Sequence, residues 1–261
     1  MTGSVIVACE MIEDEVRLAL QALDPDDRPP IVWVESGLHD RPTRLREVLG
    51  EIVRLIDEGA RTGRAATIPS VCPGPGPAAG RRSETVVGPV DTVLFAFGFC
   101  GNALNGLSAD NLTMVIPRAD DCVALLLNHG CVREEIPRDA RHYYLTRGWF
   151  NHESSLTEAF MDWNERFGEE RAAKLRKTMF SGYECVDLID TRAYDTSECL
   201  AQSQDVASEL GLEHGIVQGS VQLLERLFKG ERDSEIIAIP PSEEIGFDHL
   251  FNCPLLTTEE A

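Results

Sequence analysis

Residues 4–23 read SVIVACEMIEDEVRLALQAL, and the change of period inside this stretch decides the fold. Residues 4–8 (SVIVA) form a short apolar run suited to a strand buried on both faces. From Glu10 onward the apolar residues recur at helical spacing, with Ile12, Val16, Ala19, Leu20 and Leu23 on one face. A buried strand that feeds an amphipathic helix is the opening half of a β-α-β unit. Cys9 stands where the strand gives way to the helix.

The same alternation continues along the chain. Residues 24–30 are a breaker cluster rich in Pro and Asp, and residues 31–34 (IVWV) are a second strand. ESGLHDRP follows. Asp40 is placed to cap the next helix, Pro42 suits its first turn, and Leu45, Val48, Leu49, Ile52, Leu55 and Ile56 give it an apolar stripe. Residues 91–97 (DTVLFAF) and 113–116 (TMVI) are further strands, the first running into FGFCGNALNGL and the second into PRADDC and a helix over 123–128. Residues 142–146 predict a short edge strand, 154–179 helix with a break at RFG, 184–189 a strand, 195–210 and 219–228 helices, and 234–239 a last strand.

Strands alternating with helices predict an α/β fold, three-layer and Rossmann-like, with a mostly parallel sheet. Its two halves are open to reading as a pair of lobes. Residues 1–261 are expected to form one domain. The Pro/Gly-rich stretch at about 60–89, containing SVCPGPGPAAGRRSE, reads as a loop-like insert, and the tail after Phe251 as mobile.

Hydrophobic content of 43% and charged content of 26% are those of a soluble globular protein. A net charge of −20 disfavours nucleic-acid partners, whose phosphates need clustered Lys and Arg. No stretch approaches the roughly 20 apolar residues of a membrane span, and the N-terminus is too acidic for a signal peptide. A cytoplasmic location is expected. There the eight cysteines are free thiols or metal ligands rather than a disulfide framework.

Ligands of open α/β sheets bind beyond the carboxyl ends of the strands. Cys9, Cys100 and Cys122 each occupy such an end, and a fourth end supplies Glu35, His39 and Asp40. Thiolates and imidazole are the usual zinc ligands, so Cys9, His39, Cys100 and Cys122 make a candidate four-ligand set. Three thiolates could also hold an iron–sulfur cluster. Glu35 suits a general base, Asp40 can orient His39, and Arg118 can hold an anionic group of a small-molecule substrate. Gly101 lets the backbone pass close to a cofactor or ligand, and Asn102 can offer its amide; the loop lacks the spacing of a phosphate-binding loop. Cys122 opens a helix, which favours its thiolate as ligand or nucleophile. A metal-free cysteine enzyme, racemase- or amidohydrolase-like, is therefore the alternative. Cys185 reads as strand core; Cys72, Cys131, Cys199 and Cys253 lack supporting context. His152 reads as an exposed helix-start residue.

IVACEMIEDE, WVESGLHDRPTRLRE, FGFCGNALNGL, VIPRADDCVALLLN, YYLTRGW, LLERLF and IAIPP together resemble an uncharacterised prokaryotic family, the domain of unknown function 1638. The chain departs from that pattern at Asn128 and at Arg141-His142. The resemblance implies a setting beside corrinoid-dependent methyltransferases, hence one-carbon, methyl-transfer or corrinoid-linked metabolism. It implies a corrinoid protein or a methyltransferase as partner, with the chain acting as an enzyme or as a non-catalytic accessory.

Overall fold

The computed structural model describes residues 3–69, 84–151 and 156–251; the side chains of Asp40 and of residues 156–159 lie outside the described part. Cys72, His152, Cys253 and the expected C-terminal tail also lie outside it.

The opening stretch folds as its period dictates. Strand β1 (Ser4–Cys9) carries the fully buried Val5, Ile6, Val7 and Ala8, and it is followed by a 3-10 turn and helix α1 (Glu13–Ala19). Strand β2 (Ile31–Val34) pairs parallel with β1 on one side. Helix α2 (Pro42–Thr62) has Pro42 in its first turn as expected, but Arg41 rather than Asp40 occupies the N-cap.

The insert departs from expectation. Strands β3 (Ala66–Pro69) and β4 (Glu84–Val87) pair as an antiparallel ribbon. Only Ile68 and Val87 of these eight residues are buried, and two core contacts make too weak an apolar signal to stand out beside so much Pro and Gly.

The chain then returns past β1. Strands β5 (Thr92–Ala96) and β6 (Thr113–Pro117), the latter followed by helix α3 (Cys122–Leu127), and later β10 (Ile236–Ile239) complete a five-stranded sheet ordered β10-β6-β5-β1-β2. All pairings are parallel except that of β10 with β6. The strand order reverses between β1 and β5, because β2 lies on one side of β1 and β5 on the other. Right-handed crossovers in opposite directions put α1 and α2 on opposite faces, which gives three layers. The middle layer is dense: Phe95, Phe97 and Phe99 are all buried around the third strand.

A second sheet of parallel strands, ordered β7-β8-β9, forms from the middle of the chain. Strand β7 (His142–Leu145) leads through α4 (Gly148–Asn151), α5 (Leu156–Phe167) and α6 (Glu169–Met179) to β8 (Cys185–Asp190). Helix α7 (Leu200–Leu210) links β8 to β9 (Glu213–Gln218), after which α8 (Gln222–Phe228), β10 (Ile236–Ile239) and α9 (Phe247–Phe251) return to the first lobe. Strand β9 has no counterpart in the sequence reading, since EHGIVQ has no apolar run and none of its residues is fully buried. The break in the long helix falls at Gly168, where RFG was expected to interrupt it.

The lobes meet at polar contacts. Arg147, just after β7, grips the Asp14 carboxylate with two nitrogens, one at 2.9 Å, and also pairs with Glu198. Glu15 is buried beside it and accepts a hydrogen bond of 3.0 Å from the Thr191 hydroxyl. Among the described residues no helix is long and apolar enough to cross a membrane.

Candidate functional site

A sheet whose strand order reverses leaves a crevice at the point of reversal, because the loops on either side turn away to opposite faces. Here that point lies between β1 and β5. It opens into a cavity of about 240 Å³ lined by Cys9, Glu35, His39, Cys100, Gly101 and Cys122. Four strand ends therefore converge on one cavity, a meeting that the sequence left open. The rest of the wall is mostly apolar, with Met11, Ile12, Leu38, Leu45 and Phe97 from the first lobe and Thr146 and Trp149 from the second.

Main-chain pairing beyond the strands sets the thiol positions. The Phe99 amide donates to the Ala119 carbonyl and the Cys100 amide to that of Asp120, both at 2.9 Å, so the loops after β5 and β6 run side by side. Gly98 permits this approach: a Cβ there would lie 2.3 Å from the main chain of Asp121. Cys100 itself adopts a left-handed backbone (φ 41°), uncommon for a side chain without an amide or carboxylate. Asp121 caps α3 by accepting from the Ala124 amide at 2.8 Å, which fixes Cys122 at the first helical position.

The Sγ atoms of Cys100 and Cys122 are 3.9 Å apart. Hydrogen bonds from Cys100 and Cys9 hold the Cys122 thiol well below its usual range despite burial, helped by the Gly98 main chain and by His39. The Cys9 and Cys100 thiols are pushed well up by their bonds to Cys122 and by burial. Cys122 is therefore the sulfur of the three that most readily gives up its proton. Polarisable thiols around one thiolate are the donor chemistry of a soft or borderline metal ion. All six described cysteines are free thiols.

The remaining expected residues divide. His39 sits beside the thiols with its ring 5.3 Å from that of Trp149, edge to face. Gly101 lines the cavity, with a positive φ of 66°. Asn102 does not line it; its carbonyl accepts from Arg46 at 2.7 Å. Asp40 lies in the turn Leu38–Asp40 beside His39.

Arg118 is a correction. It is buried away from the cavity, with Nε donating to the Leu250 carbonyl at 3.0 Å and its other nitrogens engaging Glu235 and Glu134. A guanidinium so fully committed fastens β6 to the strand β10 side of the sheet and is not offered to a substrate. Trp149 was the wall residue that sequence reasoning passed over. The YYLTRGW motif contained it, but nothing in its spacing tied the second lobe to the first.

Residues 81–228 match the family described as "Protein of unknown function (DUF1638)", and the chain belongs to that family. The matched span holds Cys100, Cys122 and Trp149 and stops short of Cys9, Glu35 and His39. No curated protein and no solved structure gives a significant match to the chain.

Proposed function

We propose that this protein holds a metal ion, zinc before an iron–sulfur cluster, through Cys9, Cys100 and Cys122, with His39 as the fourth ligand or its close neighbour. The observation that carries the reading is the sharing of hydrogen bonds by three thiols around Cys122 inside one largely apolar cavity. Bound there, zinc would keep the thiolates deprotonated at neutral pH and polarise a donor atom of a substrate in an open position. Glu35, on the cavity wall, would hold or move a proton. Trp149 and the apolar wall would exclude water from a small substrate.

Methyl-group or corrinoid-linked metabolism is the setting we propose, on the strength of the sequence resemblance. A cavity of about 240 Å³ falls below the roughly 300–1,000 Å³ of pockets for drug-sized ligands. A corrinoid would therefore be presented at the mouth by a partner protein rather than enclosed. The metal-free alternative draws on the lowered Cys122 thiol, but sulfurs 3.9 Å apart leave no room for a substrate carbon between Cys100 and Cys122.

Metal analysis with an absorption spectrum tests the proposal on purified wild type and on Cys9→Ser, Cys100→Ser and Cys122→Ser. The expected result is one equivalent of metal lost in Cys122→Ser and at least tenfold weaker retention in the other two. Unchanged metal content in all three, with iodoacetamide labelling Cys122 selectively in the wild type, would replace this reading by the metal-free one.

A further inference from the structure

Outside the cavity lining, at the amino-terminal end of the second sheet, His142, Cys185 and Asp187 project from one face of β7 and β8. His142 and Cys185 are register partners on the two parallel strands, and Asp187 follows Cys185 by two residues, the spacing that returns a side chain to the same face. His142 Nδ1 lies 2.7 Å from Asp187 Oδ2, and Cys185 Sγ lies 3.4 Å from Asp187 Oδ1. Cys185 and Asp187 are buried. The donor atoms of these three residues all fall within 4.8 Å of one another.

We infer that His142, Cys185 and Asp187 form a second site, for a single divalent zinc ion that clamps strand β7 to strand β8. Nitrogen, thiolate sulfur and carboxylate oxygen are the three donor types that zinc accepts. Two of them are fixed on the central strand of the sheet and the third on its neighbour. Burial and the Asp187 carboxylate push the Cys185 thiol up to about 11, so the thiolate forms with the ion and not before it.

The balance of protons is simple. His142 Nδ1 and Asp187 Oδ2 share one proton across their 2.7 Å bond. When the ion takes Nδ1, the proton of that bond passes to Nε2 by exchange with solvent, and the Cys185 proton is the one released. The nearest carboxylate to Nε2 is that of Asp139, whose Oδ2 lies 3.9 Å away, beyond hydrogen-bond distance, and is held by Arg141 Nη2 at 2.9 Å. A carboxylate behind a metal-binding histidine is the usual supporting arrangement. Gly215 on β9 lets the Asp187 carboxylate lie where it does, since a Cβ there would stand 2.2 Å from Asp187 Oδ1 and 3.6 Å from Cys185 Sγ. The clamp would join strands separated by three helices, where closing a long connection costs the unfolded chain most.

The test uses the full chain carrying Cys9→Ser, Cys100→Ser and Cys122→Ser together, stripped with a chelator and titrated with Zn²⁺ and Co²⁺. One equivalent of Zn²⁺, a thiolate-to-cobalt charge-transfer band and a rise in Tm on adding Zn²⁺ are expected. Adding Cys185→Ser should abolish the band. His142→Ala or Asp187→Asn should weaken Zn²⁺ at least tenfold, and Asp139→Asn by about tenfold. A folded triple variant that takes up neither ion overturns the inference. Should the triple variant not fold, Cys185→Ser alone is compared with the otherwise unaltered protein: loss of one equivalent supports the site, and an unchanged content overturns it. The two sites fail separately, since metal lost only with Cys122→Ser leaves this one refuted, and metal lost only with Cys185→Ser leaves the cavity site refuted.

Discussion

The two thiol clusters of this molecule are built in opposite ways. The cavity cluster gathers Cys9, Cys100 and Cys122 around the carboxyl ends of three strands: Cys9 ends β1, Cys100 lies in the loop after β5 and Cys122 opens α3. The second cluster sits on the face of a sheet, and its donors are held by strand register. Loops at strand ends can carry many side chains and leave a hollow between them, whereas a sheet face offers a flatter and more rigid seat. The first arrangement suits a centre that must admit a substrate; the second suits a structural ion.

The sharpest way to break this contrast is to add one methyl group to each cluster. Gly98→Ala places its Cβ against the Asp121 main chain, which cannot move without carrying Cys122 and the cap of α3 with it. Overpacking of this kind is expected to cost about 3 kcal/mol, read by urea unfolding, with loss of binding of the metal proposed for the cavity. A variant as stable as the wild type would show that the two loops are not locked together.

Between the lobes, Glu15 gives a pH-dependent handle. Burial pushes its carboxyl up to about 7 from the ordinary 4.5. Its native state therefore keeps a proton that the unfolded chain has released, and stability falls as pH rises from about 4.5 to about 7. The expected loss across that window is at most about 3.5 kcal/mol at about 1.4 kcal/mol per unit. Glu15→Gln should lack that component, so its unfolding free energy measured at pH 5 and pH 8 should drop less than the wild type's. Parallel curves for the two proteins would remove Glu15 from the account.

The smallest effect is expected at Gly215. Its added Cβ meets a carboxylate oxygen that can swing aside, and alanine suits a strand better than glycine. Gly215→Ala should change stability by about 1 kcal/mol while lowering Zn²⁺ uptake at the sheet-face site and leaving the cavity metal in place. Loss of both metals together would mean that the clusters are not independent.

These two clusters also differ in how far the sequence revealed them. Cys9, Cys100 and Cys122 were legible because each follows a buried apolar run, and the end of such a run is a local signal. His142 and Cys185 were not. They meet only because β7 and β8 pair in one register across three helices, and Cys185 alone looks like strand core. Arg118 misled for a related reason: beside Asp120 and Asp121 it resembles a substrate anchor, yet its partners Glu235 and Leu250 lie more than a hundred residues away. Strand β9 and the ribbon of β3 and β4 were missed because their residues are mostly half-exposed and leave no apolar run.

The sequence alone determined the alternation of strand and helix, the α/β class and the placement of three thiols at strand ends, because periodicity and breakers act over a few residues. Tertiary structure decided the rest. It set the order β10-β6-β5-β1-β2, which brings those ends to one crevice, and divided the strands between two sheets. It also brought Trp149 from the second lobe to the cavity wall. Strand order and lobe packing depend on which distant surfaces bury one another best, and no local spacing in the chain encodes that choice.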